Sequence, residues 1–396
     1  MEKVEAQQSM RSLIIVAVIA VGSSSFTLWL METWIKYPLF LFEILTIIVL
    51  YLIVSGYDAK LTIKHFRIKN VHFGLMIDVF LIVSALSLLI INALRIQGGL
   101  IQLVLDLFVT SLLLGYALLN IFGLIRYFSG LETAVLSYIL SYACTGFVTL
   151  ASFYIEEGAR TLFVLSTFII IGLISALKHR GHEPRSISRP SLKNIDAFAL
   201  LLSMAFFALA FYFMYPSFGL RPGTDISRHY ASSIVLGRTP EIYIGSTYLF
   251  AHLHESIFLT LSSPSLVSAQ TALVTLNLML PLAFYVMTKT HLERIDARLP
   301  SLATLFWVLF TNSFGGFAWI YFATLKLSTT GQTQLQLLAT SADKTYNGTI
   351  YGILGLWYVP ATVSLVVLMA TVFLMSKKEI PTSKYFALFS SSPSPY

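Results

Sequence analysis

The sequence predicts an all-α, polytopic integral membrane protein with about ten transmembrane helices. Hydrophobic residues make up 56% of its 396 residues and charged residues only 11%, whereas soluble domains carry about 25% charged residues. The apolar runs are about 20 residues long, which is the length that a helix needs to cross the hydrocarbon core. They also lack the strict alternation of apolar and polar residues that transmembrane barrel strands show. The runs are therefore predicted to be helices.

Each apolar run is predicted to cross the membrane once. The predicted spans are 12–30, 38–56, 71–93, 100–124, 131–155, 160–177, 195–217, 266–288, 299–323 and 351–375. No clear cleavage site of small residues follows the first run, so we expect it to be retained as a span. Cys144 is the only cysteine and lies inside the fifth span, so the chain can form no internal disulfide.

Basic residues set the predicted orientation. They concentrate in segments 57–70, 178–194 and 289–298, and in the tail that starts at Lys377. An even number of spans separates each of these segments from the next, so all four lie on one side, which the positive-inside rule assigns to the cytoplasm. Both termini are then cytoplasmic, in a protein expected in the plasma membrane. This topology also accounts for the net charge of +7 without a nucleic-acid partner.

The basic, proline-containing segment 178–194 is the best candidate for a domain boundary. We expect a six-helix bundle over 1–177, a second transmembrane part over 195–376 and a cytoplasmic tail over 377–396. Two polar loops of the second part, 218–265 and 324–350, fall on the extracytoplasmic side. Loops of such length are usually functional.

The first of these loops combines one acid with several bases near the end of a span. Asp225 follows Gly223 and Thr224, with Arg221, Arg228 and Arg238 within 13 positions and His229 and Tyr230 close by. Guanidinium groups match phosphate oxygens with their forked donors, and a carboxylate beside them could deprotonate a hydroxyl. The alternative for Asp225 is a helix cap, and the arginines could simply pair with lipid headgroups.

A helix is predicted over 246–261, lying in the membrane interface. Its apolar stripe consists of Leu249, Leu253, Ile257 and Leu261 at helical spacing. His254, Glu255 and Ser256 lie largely off that stripe. Such a helix rests at the level of the headgroups, where it could form the floor of a cavity that faces lipid.

The order of these features resembles the GT-C superfamily of membrane glycosyltransferases, over about residues 195–325. The resemblance lies in Tyr215-Pro216, Gly223-Thr224-Asp225, Arg228-His229-Tyr230, Gly237-Arg238, Tyr248-Leu249-Phe250-Ala251-His252, the span 266–288 and Lys289. The familiar members, which include protein O-mannosyltransferases and lipid A aminoarabinose transferases, place this loop after their first span. Six spans precede it in this chain, so the GT-C-like core would begin at the seventh.

The resemblance implies transfer of a sugar from a polyprenyl phosphate to an acceptor on the extracytoplasmic face, with membrane lipids as surroundings. Asp225 would be the catalytic base. The residues expected to bind substrate are Arg221, Arg228, His229, Tyr230, Arg238, Glu241, His252 and Lys344. The sequence contains no nucleotide-binding motif and no metal-ligand motif, and it leaves open whether a divalent metal is needed.

Two other functions are compatible with the sequence. Glu43, Asp78 and Asp106 lie at membrane depth, where acids are costly and often functional, so the chain could be a proton-coupled transporter or a lipid flippase. The chain could also be a shortened GT-C relative that acts as a scaffold without catalysis.

Overall fold

The computed structural model describes residues 73–96, 98–180, 196–205, 225–238, 249–263, 276–310 and 359–377. These residues form helices, and no strand occurs among them. The helices are α1 Phe73–Ala93, α2 Gly99–Ile121, α3 Gly130–Ser152, α4 Glu157–Arg180, α5 Asp196–Ala205, α6 Asp225–Arg238, α7 Leu249–Ser262, α8 Met279–Leu292, α9 Leu299–Phe310 and α10 Val359–Met375.

In the part of the chain that the structure describes, four helices are long and apolar enough to cross a membrane. They are α1 to α4, and they coincide with the predicted spans three to six. The all-helical class and the membrane character are thus confirmed for these residues. α5, α9 and α10 fall within predicted spans seven, nine and ten, and α8 overlaps span eight and ends four residues beyond it; these spans are described over part of their length. The predicted spans 12–30 and 38–56 lie outside the described residues.

The helices group into two compact units. One unit contains α1 to α4 together with α6, α7 and α10. The other contains α5, α9 and most of α8, in which the Asp196 carboxylate accepts a hydrogen bond from Ser301 and the rings of Phe284 and Trp307 stack. The sequence assigned α6 and α7 to the C-terminal core. In the structure α7 packs against the N-terminal spans, and α6 packs on α7.

A π-helical turn interrupts α2 at Val109–Leu113. Such a turn disturbs the regular pattern of backbone hydrogen bonds, and α3 supplies hydroxyl groups at this point. The Thr145 hydroxyl donates to the Thr110 carbonyl at 2.9 Å, and the Gly115 amide donates to the Ser141 hydroxyl at 2.6 Å. Small polar residues therefore hold the two helices in close contact, as is common between helices in membranes.

The α3 hydroxyls belong to a longer row. Ser137, Ser141, Thr145 and Thr149 recur every four residues, so they lie on one face of the helix. All four are buried, whereas large apolar side chains such as Phe147 are exposed. Since lipid surrounds the bundle, α3 buries its polar face and exposes apolar side chains.

The N-terminal end of α3 is held by two polar interactions. Ser129 and Glu132 form a reciprocal capping box at its start. The Glu132 carboxylate also forms a salt bridge with Lys377, with Nζ and Oε1 2.9 Å apart. The end of α10 and the start of α3 therefore lie side by side, as expected if both are at the cytoplasmic side.

Candidate functional site

A cavity of about 360 Å³ lies where α3 turns into α4. α6 and α7 complete its wall, so the segment 218–265, which the sequence singled out, contributes directly to it. The lining residues are Thr149, Ser152, Phe153, Glu157, Arg160, Thr161, Tyr230, Ser233, Ile234, Gly237, Arg238, Ser256, Ile257, Leu259 and Thr260. Two arginines and one glutamate are therefore the charged residues among them.

α7 is held at both ends by the spanning helices. At its start, Phe250 packs over Gly146, where an added Cβ would come within 2.5 Å of the Phe250 ring. At its end, the Leu261 carbonyl accepts hydrogen bonds from Asn92 at 3.0 Å and from Gln102 at 2.6 Å. Its apolar residues Ile257 and Leu261 join the core of the bundle. These contacts fix the wall of the cavity.

The polar side of α7 is buried as well, which differs from the interfacial helix expected from the sequence. His254 is fully buried, with Nε2 3.2 Å from the Ser111 hydroxyl in the π-helical turn. Its ring stacks on Tyr142 with the centroids 4.3 Å apart. His252, Glu255 and Ser256 are buried too. The apolar stripe, which was expected in the membrane interface, packs instead into the core of the bundle, and α2, α3 and α6 also cover the remaining faces.

Arg160 of α4 connects the cavity wall to the end of α6. Its guanidinium donates to the Gly237 carbonyl at 3.1 Å and to the Ile155 carbonyl at 3.2 Å, and it lies over the Phe153 ring. A cation is favourable at this position, because the C-terminal end of a helix carries partial negative charge. A guanidinium has five N–H donors, so these two bonds leave it donors for a ligand in the cavity.

α6 and α7 face each other through two polar pairs, one helical turn apart. The Ser233 hydroxyl donates to Glu255 Oε2 at 2.7 Å. His229 Nδ1 and His252 Nε2 are also 2.7 Å apart, so one imidazole must donate and the other accept. Gly237 allows this approach, since a Cβ there would lie 2.6 Å from the Ser256 hydroxyl oxygen.

Burial changes the acid–base properties of these side chains. Desolvation raises the pKa of Glu255 to about 7, and the hydrogen bond from Ser233 only partly opposes this. Desolvation, together with the neighbouring His229, lowers the pKa of His252 to about 4. The pKa of Tyr230 is raised by burial and by the nearby Glu255. Glu255 can therefore exchange a proton near neutral pH, whereas His252 is neutral there.

The structure brings together part of the predicted site. Tyr230 and Arg238 line the cavity, and His229 contacts His252 beside it. Asp225 and Arg228 lie in the first turn of α6, with side chains outside the described residues. Arg221, Glu241 and Lys344 also lie outside them. α6 separates Asp225 from Arg238 by 13 positions, or about 20 Å along the axis, so one phosphate could not contact both.

Sequence reasoning missed three functional candidates. Arg160 and Ser233 line the cavity, and Glu255 is the buried carboxylate next to it. Glu255 was noted only as a polar residue off the apolar stripe of α7. Glu255 is buried because α6 packs on α7, and α7 packs on α2 and α3, which are distant in sequence. No local pattern indicated this contact.

Among the described residues, no group of three or more His, Cys, Asp or Glu side chains is placed to hold a metal ion. No family model matches the chain, and no curated protein or solved structure matches it either.

Proposed function

We propose that the cavity binds the phosphate-bearing head of a polyprenyl-phosphate sugar, and that the chain is a GT-C-like transferase of that sugar. The observation that carries this proposal is that two arginines, Arg160 and Arg238, line one cavity. The cavity lies at the ends of two spanning helices, where the head of a membrane lipid is located. A lipid-borne phosphate can therefore enter it while its prenyl chain stays in the bilayer.

The charges of the lining fit a phosphodiester. Arg160 and Arg238 provide two positive charges and Glu157 provides one negative charge; Arg160 is half-buried, and Arg238 and Glu157 are both exposed. A phosphodiester carries one negative charge and gains a second when the sugar leaves. Charge-assisted hydrogen bonds from guanidinium groups strengthen as that charge develops, which is the requirement for stabilising a transition state.

The remaining lining suits a sugar and its acceptor. Tyr230, Thr161 and Thr260 are half-buried or exposed there, and their hydroxyl groups can form hydrogen bonds. The volume of about 360 Å³ lies within the range of about 300–1,000 Å³ that small-molecule sites occupy. One monosaccharide with its phosphate fits such a space.

The predicted topology places this cavity outside the cytoplasm. α6 and α7 come from the loop predicted to be extracytoplasmic. They contact Asn92 at the end of α1 and Arg160 at the start of α4, next to the α1–α2 and α3–α4 turns. Alternation of the spans assigns these two turns to the same side. At the other end of the bundle, the Lys377–Glu132 salt bridge involves the predicted cytoplasmic tail.

A transfer assay tests the proposal. The full chain in proteoliposomes is given a radiolabelled polyprenyl-phosphate sugar and an acceptor extract, and transfer of the label is measured. Arg238→Gln is expected to lower the rate about tenfold or more, since a hydrogen bond to a charged group contributes about 1.5–3 kcal/mol. Arg95→Gln is the matched control, because Arg95 is an exposed arginine in the α1–α2 turn at the same end of the bundle. Equal rates for both variants would reject the role of Arg238, and an inactive wild type would reject the transferase.

The transporter alternative has weaker structural support. Asp78 lies at the level of Asn120 of α2, because both contact Ser175. Asp106 lies 14 positions before Asn120, so the two acids are about 20 Å apart along α2. Between these levels, the hydroxyls of Thr110, Thr145 and Thr149 donate to backbone carbonyls. These hydroxyls therefore do not form a chain that would pass a proton from one acid to the other. Glu43 lies outside the described residues.

A further inference from the structure

We propose that Glu255 accepts the proton of the transfer reaction and that Ser233 passes this proton to it from the cavity. This inference rests on the proposed transferase function and assigns the base to α7, whereas the sequence assigned it to Asp225. Ser233 borders the cavity but is fully buried, so an acceptor reaches its hydroxyl oxygen only after a local shift of the lining. That oxygen lies 2.7 Å from Glu255 Oε2. Glu255 itself is buried behind it.

The surroundings of Ser233 allow its proton to move in either direction. The hydroxyl has two acceptors within reach, Glu255 Oε2 at 2.7 Å and the His229 carbonyl at 3.0 Å, but only one proton to donate. With Glu255 ionised, the hydroxyl donates to the carboxylate. With Glu255 protonated, the carboxyl can donate to Ser233, and Ser233 donates to the His229 carbonyl. Both protonation states of Glu255 are therefore satisfied without moving a helix.

The proposed step moves one proton and replaces one C–O bond with another. The acceptor hydroxyl in the cavity gives its proton to the Ser233 oxygen while Ser233 gives its own proton to the Glu255 carboxylate. The acceptor oxygen forms a bond to the anomeric carbon of the sugar, and the bond from that carbon to the phosphate oxygen breaks. Polyprenyl phosphate leaves with the electron pair and one additional negative charge, beside Arg160 and Arg238. Glu255 later returns its proton to the cavity.

The charged and titratable groups around Glu255 determine when it can act. Tyr230 interacts electrostatically with Glu255. The other titratable and charged groups on α7, on the helices around it and in the cavity lining are His252 and His254 on α7, His229 and Arg238 on α6, Glu157 and Arg160 on α4, Tyr142 on α3 and Asp106 on α2. Burial raises the pKa of Glu255 to about 7. A carboxylate with a raised pKa is ionised only above that value, so the rate should rise as pH increases through about 7.

Steady-state kinetics over a range of pH test this assignment in the full chain. Glu255→Gln is expected to lower kcat about 100-fold or more, the usual contribution of a general base, with little change in KM and without the rise near pH 7. Ser233→Ala should show the same pattern. Ser232→Ala, one position away and absent from the cavity lining, should retain the wild-type rate and profile.

Two further measurements distinguish a misfolded variant from a failure of this inference. Retention of polyprenyl-phosphate binding by Glu255→Gln would establish that the variant is folded. Infrared spectra of the wild type should lose a protonated-carboxyl band as pH rises through about 7, and Ser233→Ala should shift that band. An active wild type together with a Glu255→Gln variant of equal rate and profile would overturn this inference alone. A wild type that transfers no sugar would overturn the proposed function and this inference with it.

Discussion

Gly115→Ala is expected to prevent α2 and α3 from packing and to leave little folded protein. A Cβ at this position would collide with the Ser137 carbonyl and lie 2.6 Å from the Ser141 amide nitrogen. Both atoms belong to the backbone of α3, so no side-chain rotation relieves the overlap. Because the helices would have to separate, we expect a loss of about 4 kcal/mol or more, the range reached by severe overpacking and broken networks.

The matched control for this substitution is Gly158→Ala in α4. An added Cβ at Gly158 meets no atom within 4 Å, and alanine is favoured over glycine in a helix by about 0.5–1 kcal/mol. Unfolding of the purified full chain in mixed micelles should show the Gly158 variant at or above wild-type stability and the Gly115 variant far below it. Similar unfolding curves for the Gly115 variant and the wild type would contradict the close contact of α2 and α3.

Arg160→Gln is expected to have the largest effect on binding of polyprenyl phosphate. The substitution removes a phosphate-binding charge and also the hydrogen bond that fixes the Gly237 carbonyl at the end of α6. Loss of one charge-assisted hydrogen bond costs about 1.5–3 kcal/mol, equivalent to a rise in Kd of about 10- to 150-fold. Binding of polyprenyl phosphate to the chain in lipid nanodiscs measures this effect.

Arg160→Lys separates the two roles of the residue. Lysine retains the charge but presents its donors from a single nitrogen, so it cannot bridge two carbonyls and a ligand with the geometry of a guanidinium. We expect its Kd to lie between the values of the wild type and of Arg160→Gln. If Arg160→Gln bound polyprenyl phosphate as tightly as the wild type, the cavity would not be the phosphate site.

The spanning helices were predictable because their signal is local. A run of about 20 apolar residues can cross the hydrocarbon core as a helix, whichever helices it packs against. The helices α1 to α4 therefore matched the predicted spans closely. The start of α6 at Asp225 also agrees with the helix-start chemistry of Thr224-Asp225-Ile226-Ser227. The row of hydroxyls on α3 was not predicted, since a spacing of four does not identify the helix that the hydroxyls face.

The site itself depends on contacts that sequence patterns do not encode. Arg160 binds a carbonyl 77 positions away, and His254 contacts a hydroxyl 143 positions away. The π-helical turn of α2 likewise has no local signature, since α3 satisfies its backbone. Sequence reasoning named Tyr230 and Arg238, which line the cavity, and chose Asp225 as the base. It did not weigh Glu255, because only the packing of α6 on α7 buries Glu255 beside Ser233.

The most direct test of phosphate binding in the cavity is protection of a single cysteine from labelling. Cys144→Ala removes the only natural cysteine. Ile234→Cys then places a thiol in the cavity lining, and Tyr154→Cys places one in the α3–α4 turn, where the Tyr154 side chain is 92% exposed and outside the lining. A membrane-impermeant thiol reagent is added from the extracytoplasmic side, with and without polyprenyl phosphate.

Both thiols should react, and polyprenyl phosphate at about ten times its Kd should slow the reaction of position 234 about tenfold while leaving position 154 unchanged. Equal labelling of position 234 with and without the lipid, or labelling only from the cytoplasmic side, would contradict an extracytoplasmic phosphate site between α3, α4, α6 and α7.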